Sequence, residues 1–554
     1  MKNFNNVIIV LCSICISNLI AQTQEWVARY NGPANVVDGA TSITIDVLGN
    51  IYITGRSANT TSTFECTTIK YDSAGSEKWI RKYHGPVDSN YYDTGWGIAA
   101  DHFGNVYVAA ASRDSVALDD IATIKYDSLG NELWVARYGG PGDDYDWPFD
   151  ITTDNSGNVY ITGRSVGAGT GFDYVTIKYD SAGNEKWAQR YDGTGNSSDE
   201  AYAVAVDSAG NVYMAGTSTG SGTGLDFATI KYDSSGNEKW VRRYNSSGEM
   251  DEFSTRLALD NLGNIYITGG SWKFLQGIPS DIITIKYDSV GNEKWVKRYN
   301  GPGNDDDIPE AIIVDASGNI YVVGSSYRAS SRNDFVTIKY DPNGDTLWTR
   351  RYNGTGNQND APEAIALDIR GNLYITGKSR GTVDDDYATV VYDSLGNEVT
   401  TQRYDGPNSG GAWQDAPYGI AADANGNFYV TGFSGGIGSC YDMATVKYSG
   451  MPGIESRPAG GIVFLQIYPN PFRNRIDIRY MIYDTGYMIK GYSLKIFDAS
   501  GHLVRRWDYQ DIRLSNKITW NGTDYANRKL PSGVYFLKFE TGDHRETKKL
   551  LLLR

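Results

Sequence analysis

The heptapeptide GNVYITG at residues 157–163 occurs eight times, with small changes, along this chain of 554 residues. The other copies are GNIYITG at 49, GNVYVAA at 104, GNVYMAG at 210, GNIYITG at 263, GNIYVVG at 318, GNLYITG at 371 and GNFYVTG at 426. Successive copies start 53 or 55 residues apart. A period this regular indicates that each repeat is one supersecondary unit that packs against its neighbours.

Each repeat contains four short runs in which apolar and polar residues alternate, as in β-strands. In the third repeat they are FDITTD (149–154), GNVYITG (157–163), DYVTIKYD (173–180) and NEKWAQRY (184–191). The first and third connections are short and place Asp shortly before Gly-Asn, which suits tight hairpin turns. Four antiparallel strands per repeat predict the blades of a β-propeller.

The two ends of the repeat array predict a closed ring. EWVARY (25–30) matches the fourth strand of a blade, whereas the last repeat stops after its third strand, ATVKYS (444–449). We therefore expect the N-terminal strand to complete the last of eight blades, which leaves no open edge. This interpretation gives an all-β, eight-bladed β-propeller over residues 22–449, and the alternative is an open solenoid of the same strands.

The repeated phrases resemble the bacterial SBBP-type β-propeller repeat family, whose units share DxxGNxYITGxT and TIKYDxxG. The resemblance covers residues 22–449. It implies the propeller fold, but the family has no single defined activity, so no function follows from it.

The N-terminus has the pattern of a secretory signal peptide. One Lys precedes an apolar run at 7–20, which is short for a membrane span, and polar residues follow. We expect cleavage after residue 21, the alternative being an uncleaved anchor. No other stretch reaches transmembrane length, so the mature chain should have no transmembrane segment.

The C-terminal part of the chain differs from the repeats. A Gly/Pro/Ser-rich linker is predicted at 450–462, and residues 463–554 alternate as short strands typical of a small immunoglobulin-like β-sandwich. Residues 454–554 contain 17 basic and 10 acidic residues, although the whole chain has a formal charge of −15.

This C-terminal stretch resembles the type A sorting domain of the type IX secretion system. The matching phrases are YPNPF (468–472), LKIFDASGHLVRR (494–506), WNGTD (520–524), LPSGVYFLKF (530–539) and the basic end KKLLLLR. The resemblance implies that the type IX machinery is a partner and that the protein is secreted or attached to the outer surface. The alternative is an ordinary immunoglobulin-like module.

Composition argues against several functions. A pI near 4.9 has the wrong sign for a protein that neutralises nucleic-acid phosphates. Four His in the whole chain leave little for a His-ligated metal or a His general base, and no nucleophile triad or phosphate loop is present. We therefore predict no catalytic residues, although a carboxylate pair acting on glycans remains an alternative.

Acidic residues recur at two positions on the face with the longer connections, here called the top face. The first set opens the innermost strands and is Asp38, Asp93, Asp146, Asp199, Glu252, Asp307, Asp360 and Asp415. The second set opens the third strands and is Glu65, Asp120, Asp173, Asp226, Asp281, Asp334, Asp386 and Asp442. Such carboxylates either bind Ca²⁺, the only cofactor indicated, or accept hydrogen bonds from backbone N–H groups. The runs that break the pattern, and are therefore the Ca²⁺ candidates, contain Asp143, Asp144, Asp305 and Asp306.

Four Trp also break the repeat. Trp96, Trp147, Trp272 and Trp413 fall in predicted top-face connections, and we take them with Asp146 and Asp307 as ligand-binding candidates. The expected function is a secreted or cell-surface binding scaffold for a glycan or an extracellular protein. The alternatives are that the rings plug the channel, that the protein is a glycan-active enzyme, or that it is a Ca²⁺-stabilised surface protein.

Two cysteines remain after signal removal. Cys66 and Cys440 belong to the top-face regions of the first and last blades, which adjoin across the predicted closure. They are candidates for a disulfide across this seam, and the alternative is two separate thiols.

Overall fold

The propeller consists of 32 strands in eight four-stranded antiparallel sheets. The first four blades contain β2 (Asp38–Ile45), β3 (Ile51–Ala58), β4 (Phe64–Tyr71), β5 (Glu77–Tyr83); β6 (Thr94–Ala100), β7 (Val106–Arg113), β8 (Asp119–Tyr126), β9 (Glu132–Tyr138); β10 (Asp146–Thr153), β11 (Val159–Gly167), β12 (Gly171–Tyr179), β13 (Glu185–Tyr191); β14 (Asp199–Val206), β15 (Val212–Gly220), β16 (Gly224–Tyr232), β17 (Glu238–Tyr244). The next three contain β18 (Asp251–Leu259), β19 (Ile265–Lys273), β20 (Ile278–Tyr287), β21 (Glu293–Tyr299); β22 (Asp307–Val314), β23 (Ile320–Arg328), β24 (Arg332–Tyr340), β25 (Thr346–Tyr352); β26 (Asp360–Leu367), β27 (Leu373–Arg380), β28 (Asp385–Tyr392), β29 (Glu398–Tyr404). Blade 8 contains β30 (Ala416–Ala422), β31 (Phe428–Gly435), β32 (Tyr441–Tyr448) and β1 (Gln24–Tyr30).

These coordinates are a computed structural model. They describe residues 23–60, 63–86, 92–114, 118–142, 144–246, 251–273, 278–381, 383–408, 414–450, 462–468, 472–473, 475–483, 493–508, 517–526, 528–540 and 545–553. The predicted signal peptide (1–21) and nearly all of the predicted linker (450–462) lie outside the described residues. In the described part of the chain, no helix is long and apolar enough to span a bilayer.

The ring closes as the repeat pattern predicts. β1 pairs antiparallel with β32, and Val27 lies opposite Val446. A buried apolar cluster joins Ile53 and Ile69 of blade 1 to Tyr429 and Met443 of blade 8. The prediction of eight blades closed by the N-terminal strand is therefore confirmed.

The phrase DxxGNxY has a structural cause in the turn between the first two strands of each blade. In blade 1, Asp46 Oδ1 accepts the backbone N–H groups of Leu48 and Asn50, each at 2.9 Å. Its Oδ2 accepts the Asn50 side-chain amide at 2.7 Å and the Tyr52 hydroxyl at 2.9 Å. Gly49 has a φ of 78°, a conformation that glycine adopts without strain. One carboxylate thus satisfies four donors in the turn.

Neighbouring blades are joined through the outer Trp and the Lys of the TIKYD phrase. The Trp79 ring of blade 1 lies between Tyr52 and Tyr126, with centroids at 5.9 and 5.8 Å. Trp79 Nε1 and Lys70 Nζ both donate to the Ser128 carbonyl of blade 2, at 3.4 and 2.8 Å. The repeated Trp, Tyr and Lys therefore connect each blade to the next, except between blades 7 and 8, because Thr400 and Val391 replace the Trp and the Lys in blade 7.

The C-terminal unit lies within Pro452–Arg554 and contains two antiparallel sheets. Its strands are β33 (Ile462–Tyr468), β34 (Ile476–Tyr483), β35 (Ser493–Asp498), β36 (Leu503–Asp508), β37 (Lys517–Trp520), β38 (Gly533–Glu540) and β39 (Arg545–Leu552). Ile478 and Trp520 of one sheet share a buried core with Leu494 and Leu537 of the other. This arrangement confirms the predicted small β-sandwich.

Candidate functional site

The acidic residues that open the innermost strands serve the backbone. Asp38 Oδ2 accepts the Gly32 N–H at 2.7 Å, and its Oδ1 accepts the Ala58 N–H at 3.1 Å. Asp146 and Asp307 accept the equivalent N–H groups of Gly140 and Gly301 and are at most 1% exposed. The prediction that Asp146 and Asp307 face a ligand is therefore wrong, because their carboxylates turn into the fold. Burial raises the pKa of both groups.

The acidic residues that open the third strands are paired with a basic residue that sequence reasoning overlooked. Arg243 forms a 2.6 Å ion pair with Asp226 and also donates to the hydroxyls of Ser218 and, in the preceding blade, Tyr191. The equivalent bases, each paired with its own carboxylate, are Arg29, Lys82, Arg137, Arg190, Arg298, Arg351 and Arg403. The repeated Arg/Lys before the last Tyr of each blade was the available signal.

The predicted Ca²⁺ residues do not converge. Asp144 and Asp305 are exposed, and each accepts the N–H of its own following residue. Asp306 Oδ1 accepts the Ser280 N–H at 2.9 Å. Asp143 lies outside the described residues. Among those described, two groups of three carboxylates come close together, and neither includes these residues.

Two of the four candidate Trp residues come together. Trp96 lies in β6 and Trp147 in β10, with stacked rings 6.5 Å apart at an angle of 28°. Trp272 lies in β19 of blade 5 against Phe253, and Trp413 falls outside the described residues. The three described Trp are thus in strands and not in connections, because strand pairing extends further than the sequence pattern indicated.

Trp147 forms one wall of an open pocket of about 460 Å³ between blades 2 and 3. The lining residues are Tyr92, Arg113, Asp119, Tyr145, Trp147, Arg164 and Phe172. Trp147 Nε1 donates to Asp119 Oδ2 at 3.0 Å, and this bond sets the angle of the indole. We call this set of seven residues the Trp147 pocket.

Arg164 is held between two aromatic rings of the Trp147 pocket. Its guanidinium carbon lies 4.5 Å from the centre of Trp147 and 4.3 Å from that of Phe172. Arg164 Nη1 also forms a 2.6 Å ion pair with Glu200 of blade 4, which in turn accepts the Tyr202 hydroxyl. Such cation–π stacking positions the guanidinium and leaves its remaining N–H groups for other acceptors.

Aromatic surface around the pocket is open to solvent. Tyr92, Tyr145 and Trp96 are 37%, 38% and 40% exposed. Aromatic faces beside a carboxylate and a guanidinium offer both stacking and hydrogen bonds to a ligand. Trp147 breaks the eightfold pattern, because no other blade carries Trp at this position. Arg164 and Phe172 are repeated in blade 1 by Arg56 and Phe64, whose guanidinium and ring also stack.

A second departure from the pattern concerns carboxylates of the innermost strands. Glu310 and Glu363 occupy the same bulge position in blades 6 and 7, one residue after Pro309 and Pro362. Burial and the neighbouring Glu363 raise the pKa of Glu310 to about 7, against the pull of Arg256. Burial also raises the pKa of Glu363, which forms a 3.8 Å ion pair with Lys378.

Cys66 and Cys440 are free thiols, so the predicted disulfide is not formed. Cys66 is buried in the core shared by blades 1 and 2, close to Thr54. The backbone of Cys440 donates to Val36 at the opposite side of blade 1. Cys66 therefore lies in the interface of blades 1 and 2, whereas Cys440 lies just before β32, next to the chain segment that enters blade 1.

Family models match both parts of the chain. Residues 133–168, 187–222 and 294–328 match the β-propeller repeat SBBP, and residues 466–553 match the secretion system C-terminal sorting domain. The chain thus contains SBBP-type propeller repeats and a C-terminal sorting domain. The sorting domain marks this SBBP-repeat protein for export by the type IX secretion system, to the cell surface or the medium.

Two curated relatives match parts of this SBBP-repeat protein. It is 32% identical over 143 residues to the regulatory protein FlaEY of Caulobacter vibrioides, covering 23% of this chain and 14% of that protein. It is 25% identical over 409 residues to an uncharacterized WD repeat-containing protein of Acanthamoeba polyphaga mimivirus, covering 55% of this chain and 26% of that protein. The chain thus spans about a quarter or less of either relative.

Two solved structures align with the chain at low similarity. PorZ, a surface component of the type-IX secretion system of Porphyromonas gingivalis, aligns over 93% of this chain and 81% of its own, with 13% identity and a TM-score of 0.24. The polysaccharide lyase Uly1 aligns over 67% of this chain and 93% of its own, with 11% identity and a TM-score of 0.41. Neither likeness bears on the activity of the SBBP-repeat protein.

Proposed function

We propose that this exported propeller is a binding module that holds a carbohydrate in the Trp147 pocket. The observation that supports this most is the pair of exposed rings, Trp96 and Tyr145, that flank the half-buried Trp147 beside Asp119 and Arg164. A sugar ring offers an apolar face for stacking and a rim of hydroxyls for hydrogen bonds, so it matches both parts of the pocket.

The pocket is also pre-organised. Asp119 holds the Trp147 indole, and Glu200 together with Phe172 holds Arg164, so little side-chain freedom is lost when a ligand binds. The pocket is open and lies between two blades. It therefore suits a chain end or a branch of an extracellular glycan.

Glycan-array screening of the full chain tests this proposal. We expect a restricted set of saccharides to bind, and Trp147→Ala to lose this binding while its thermal unfolding stays cooperative. Trp272→Ala is the matched control, because Trp272 packs against Phe253 in blade 5, away from the pocket. Equal binding by wild type and Trp147→Ala would contradict the proposal.

A second candidate is glycan hydrolysis at Glu310 and Glu363. The observation that favours it is two neighbouring carboxylates with raised pKa values, which break the repeat in adjacent blades. A protonated acid beside a second carboxylate is the arrangement that glycosidic cleavage requires. Release of reducing sugar from an array hit, lost in Glu310→Gln with binding retained, would support the enzyme over the binding module.

A further inference from the structure

One repeat position changes its chemistry from blade to blade. It directly follows the Tyr that ends the outer strand and is occupied by Asn31, His84, Gly139, Asp192, Asn245, Asn300, Asn353 and Asp405. In blade 4, the Asn245 amide donates to Asp226 Oδ1 at 2.7 Å and to the Thr223 carbonyl at 3.1 Å. In blade 4 this Asn therefore satisfies the carboxylate that opens the third strand, whereas Asn31, Asn300 and Asn353 donate to the Asn four residues further along the chain.

In blade 3 this position is occupied by Asp192. A carboxylate therefore replaces the amide donor that Asn245 provides in blade 4. The partner carboxylate is Asp173, which is only 5% exposed. Its Oδ2 is held by Arg190 at 2.7 Å, while its Oδ1 is buried with no hydrogen-bond partner among the described residues. Asp226 Oδ1, the same atom in blade 4, is the one that accepts the Asn245 amide.

The hydroxyl of Thr170 also lacks the hydrogen-bond partner that its counterpart has in blade 4. Its counterpart in blade 4, Thr223, donates its hydroxyl to Asp226 at 3.0 Å. The Thr170 hydroxyl oxygen is instead buried with no partner among the described residues. The oxygens Asp173 Oδ1 and Thr170 Oγ1, whose counterparts are satisfied in blade 4, are therefore left without a partner among the described residues of blade 3, which is costly unless something else binds them.

Asp199, the buried first residue of β14, completes the group. One oxygen from each of Asp173, Asp192 and Asp199 lies within 4.8 Å of the other two. Both Asp199 oxygens accept backbone N–H groups, from Gly193 at 2.7 Å and Thr219 at 2.9 Å, and these bonds hold the carboxylate in place. Burial and the charge of Asp173 raise the pKa of Asp192.

We propose that Asp173, Asp192 and Asp199 bind a Ca²⁺ ion at the junction of blades 3 and 4. The ion would take the place of the Asn amide as the positive partner of Asp173 Oδ1. The donors are all oxygens, which suits a hard divalent cation and not Zn²⁺, and the exposure of Asp192 lets water complete the coordination. One Arg190 against three carboxylates leaves the negative charge that such a site needs.

The second group of three carboxylates can be compared with the proposed Ca²⁺ site. Asp405 also replaces Asn and lies close to Asp384 and Asp386. No buried, unsatisfied oxygen accompanies that group among the described residues. The proposal is therefore confined to the junction of blades 3 and 4.

Calorimetric titration of the full, EDTA-treated and dialysed chain with CaCl₂ tests the site, together with thermal unfolding in Ca²⁺ and in EDTA. We expect saturable binding with a Kd of about 0.1–1 mM, the range of extracellular modules, and a rise in Tm with Ca²⁺. Asp192→Asn installs the blade 4 arrangement and should fold normally, bind Ca²⁺ at least tenfold more weakly and lose most of the Ca²⁺-dependent rise in Tm.

Asp305→Asn is the matched control, because it changes the charge equally at an exposed carboxylate outside the group. It should bind Ca²⁺ like the wild type. The proposal is overturned if the wild type shows no saturable binding, if Asp192→Asn binds like the wild type, or if Asp305→Asn loses binding to the same extent.

Discussion

Trp147 and Arg164 lie directly opposite each other on β10 and β11, and the guanidinium carbon is 4.5 Å from the centre of the indole ring. Because Asp119 of blade 2 holds the other edge of the same indole, one side chain links two blades and also presents a face to the pocket. Folding and the proposed ligand binding thus use the same residue, so a test of function at this position also needs a measurement of stability.

Ring closure depends on a contact between Lys447 in blade 8 and Ser73 in blade 1. Lys447 Nζ donates to the Ser73 carbonyl at 3.0 Å and forms a 2.7 Å ion pair with Glu25. Lys447→Met should lower the free energy of unfolding by about 1–2 kcal/mol, since the Ser73 carbonyl and the Glu25 carboxylate both lose a charged partner. Chemical denaturation measures this, with Lys186→Met on an exposed side chain as the control. Equal stability of the two variants would contradict the role given to Lys447.

Glu310 should make the stability depend on pH. The folded chain keeps its proton up to about pH 7, whereas the unfolded chain loses it near 4.5, so the folded state binds more protons in this window. Stability contributed by this group therefore falls as the pH rises from 4.5 to 7. Glu310→Gln should be more stable than the wild type by about 1 kcal/mol at pH 8 and equal to it near pH 4. Denaturation curves at both pH values check this, and a difference that is the same at both would contradict it.

The two described cysteines should react at different rates. Burial raises the pKa of the Cys66 thiol to about 12, whereas Cys440 is partly exposed. In the native protein we expect a thiol reagent to modify Cys440 and to leave Cys66 unmodified. After denaturation without reductant, the reagent should modify Cys66 as well. Mass spectrometry of labelled peptides distinguishes them. A Cys66–Cys440 disulfide in unreduced protein would contradict the structure.

Export should depend on the C-terminal sandwich. Deletion of 463–554 should leave the propeller inside the cell, because the sorting domain that directs type IX export is lost. Immunoblots of medium, surface and periplasmic fractions measure this, and the point substitution Lys186→Met in the full chain is the control for handling. Undiminished appearance of the truncated chain outside the cell would contradict the sorting role.

The fold could be predicted because the same turn residues recur in all eight repeats and the same interface residues recur in seven of them. Asp46 and its equivalents build the turns, and Trp79 and Lys70 with theirs connect the blades. A single strand is ambiguous from sequence, but eight copies of the same pattern identify each strand type. The N-terminal segment could therefore be recognised as the missing fourth strand of the last blade. The error over Cys66 and Cys440 arose because sequence position gives the blade but not the interface into which a side chain points.

The candidate site was only partly predictable. Trp96 and Trp147 stood out because Trp is rare at their positions, but Arg164 did not, since it immediately precedes the Ser of a familiar phrase. Its equivalents are Arg56, Ala111, Thr217, Gly270, Ser325, Lys378 and Phe433. This variability beside an invariant Ser was the available signal. The ion pair between Arg164 and Glu200 could not be predicted from the sequence, because it depends on how blades 3 and 4 pack against each other.

The central claim, that the Trp147 pocket binds a carbohydrate, is tested most directly by the affinity of one saccharide for paired variants. Isothermal titration of the full chain should give a Kd that rises at least tenfold in Trp147→Ala, as expected when a stacking aromatic surface is removed. Trp272→Ala should bind within twofold of the wild type. Unchanged affinity in a cooperatively folded Trp147→Ala protein would contradict the claim.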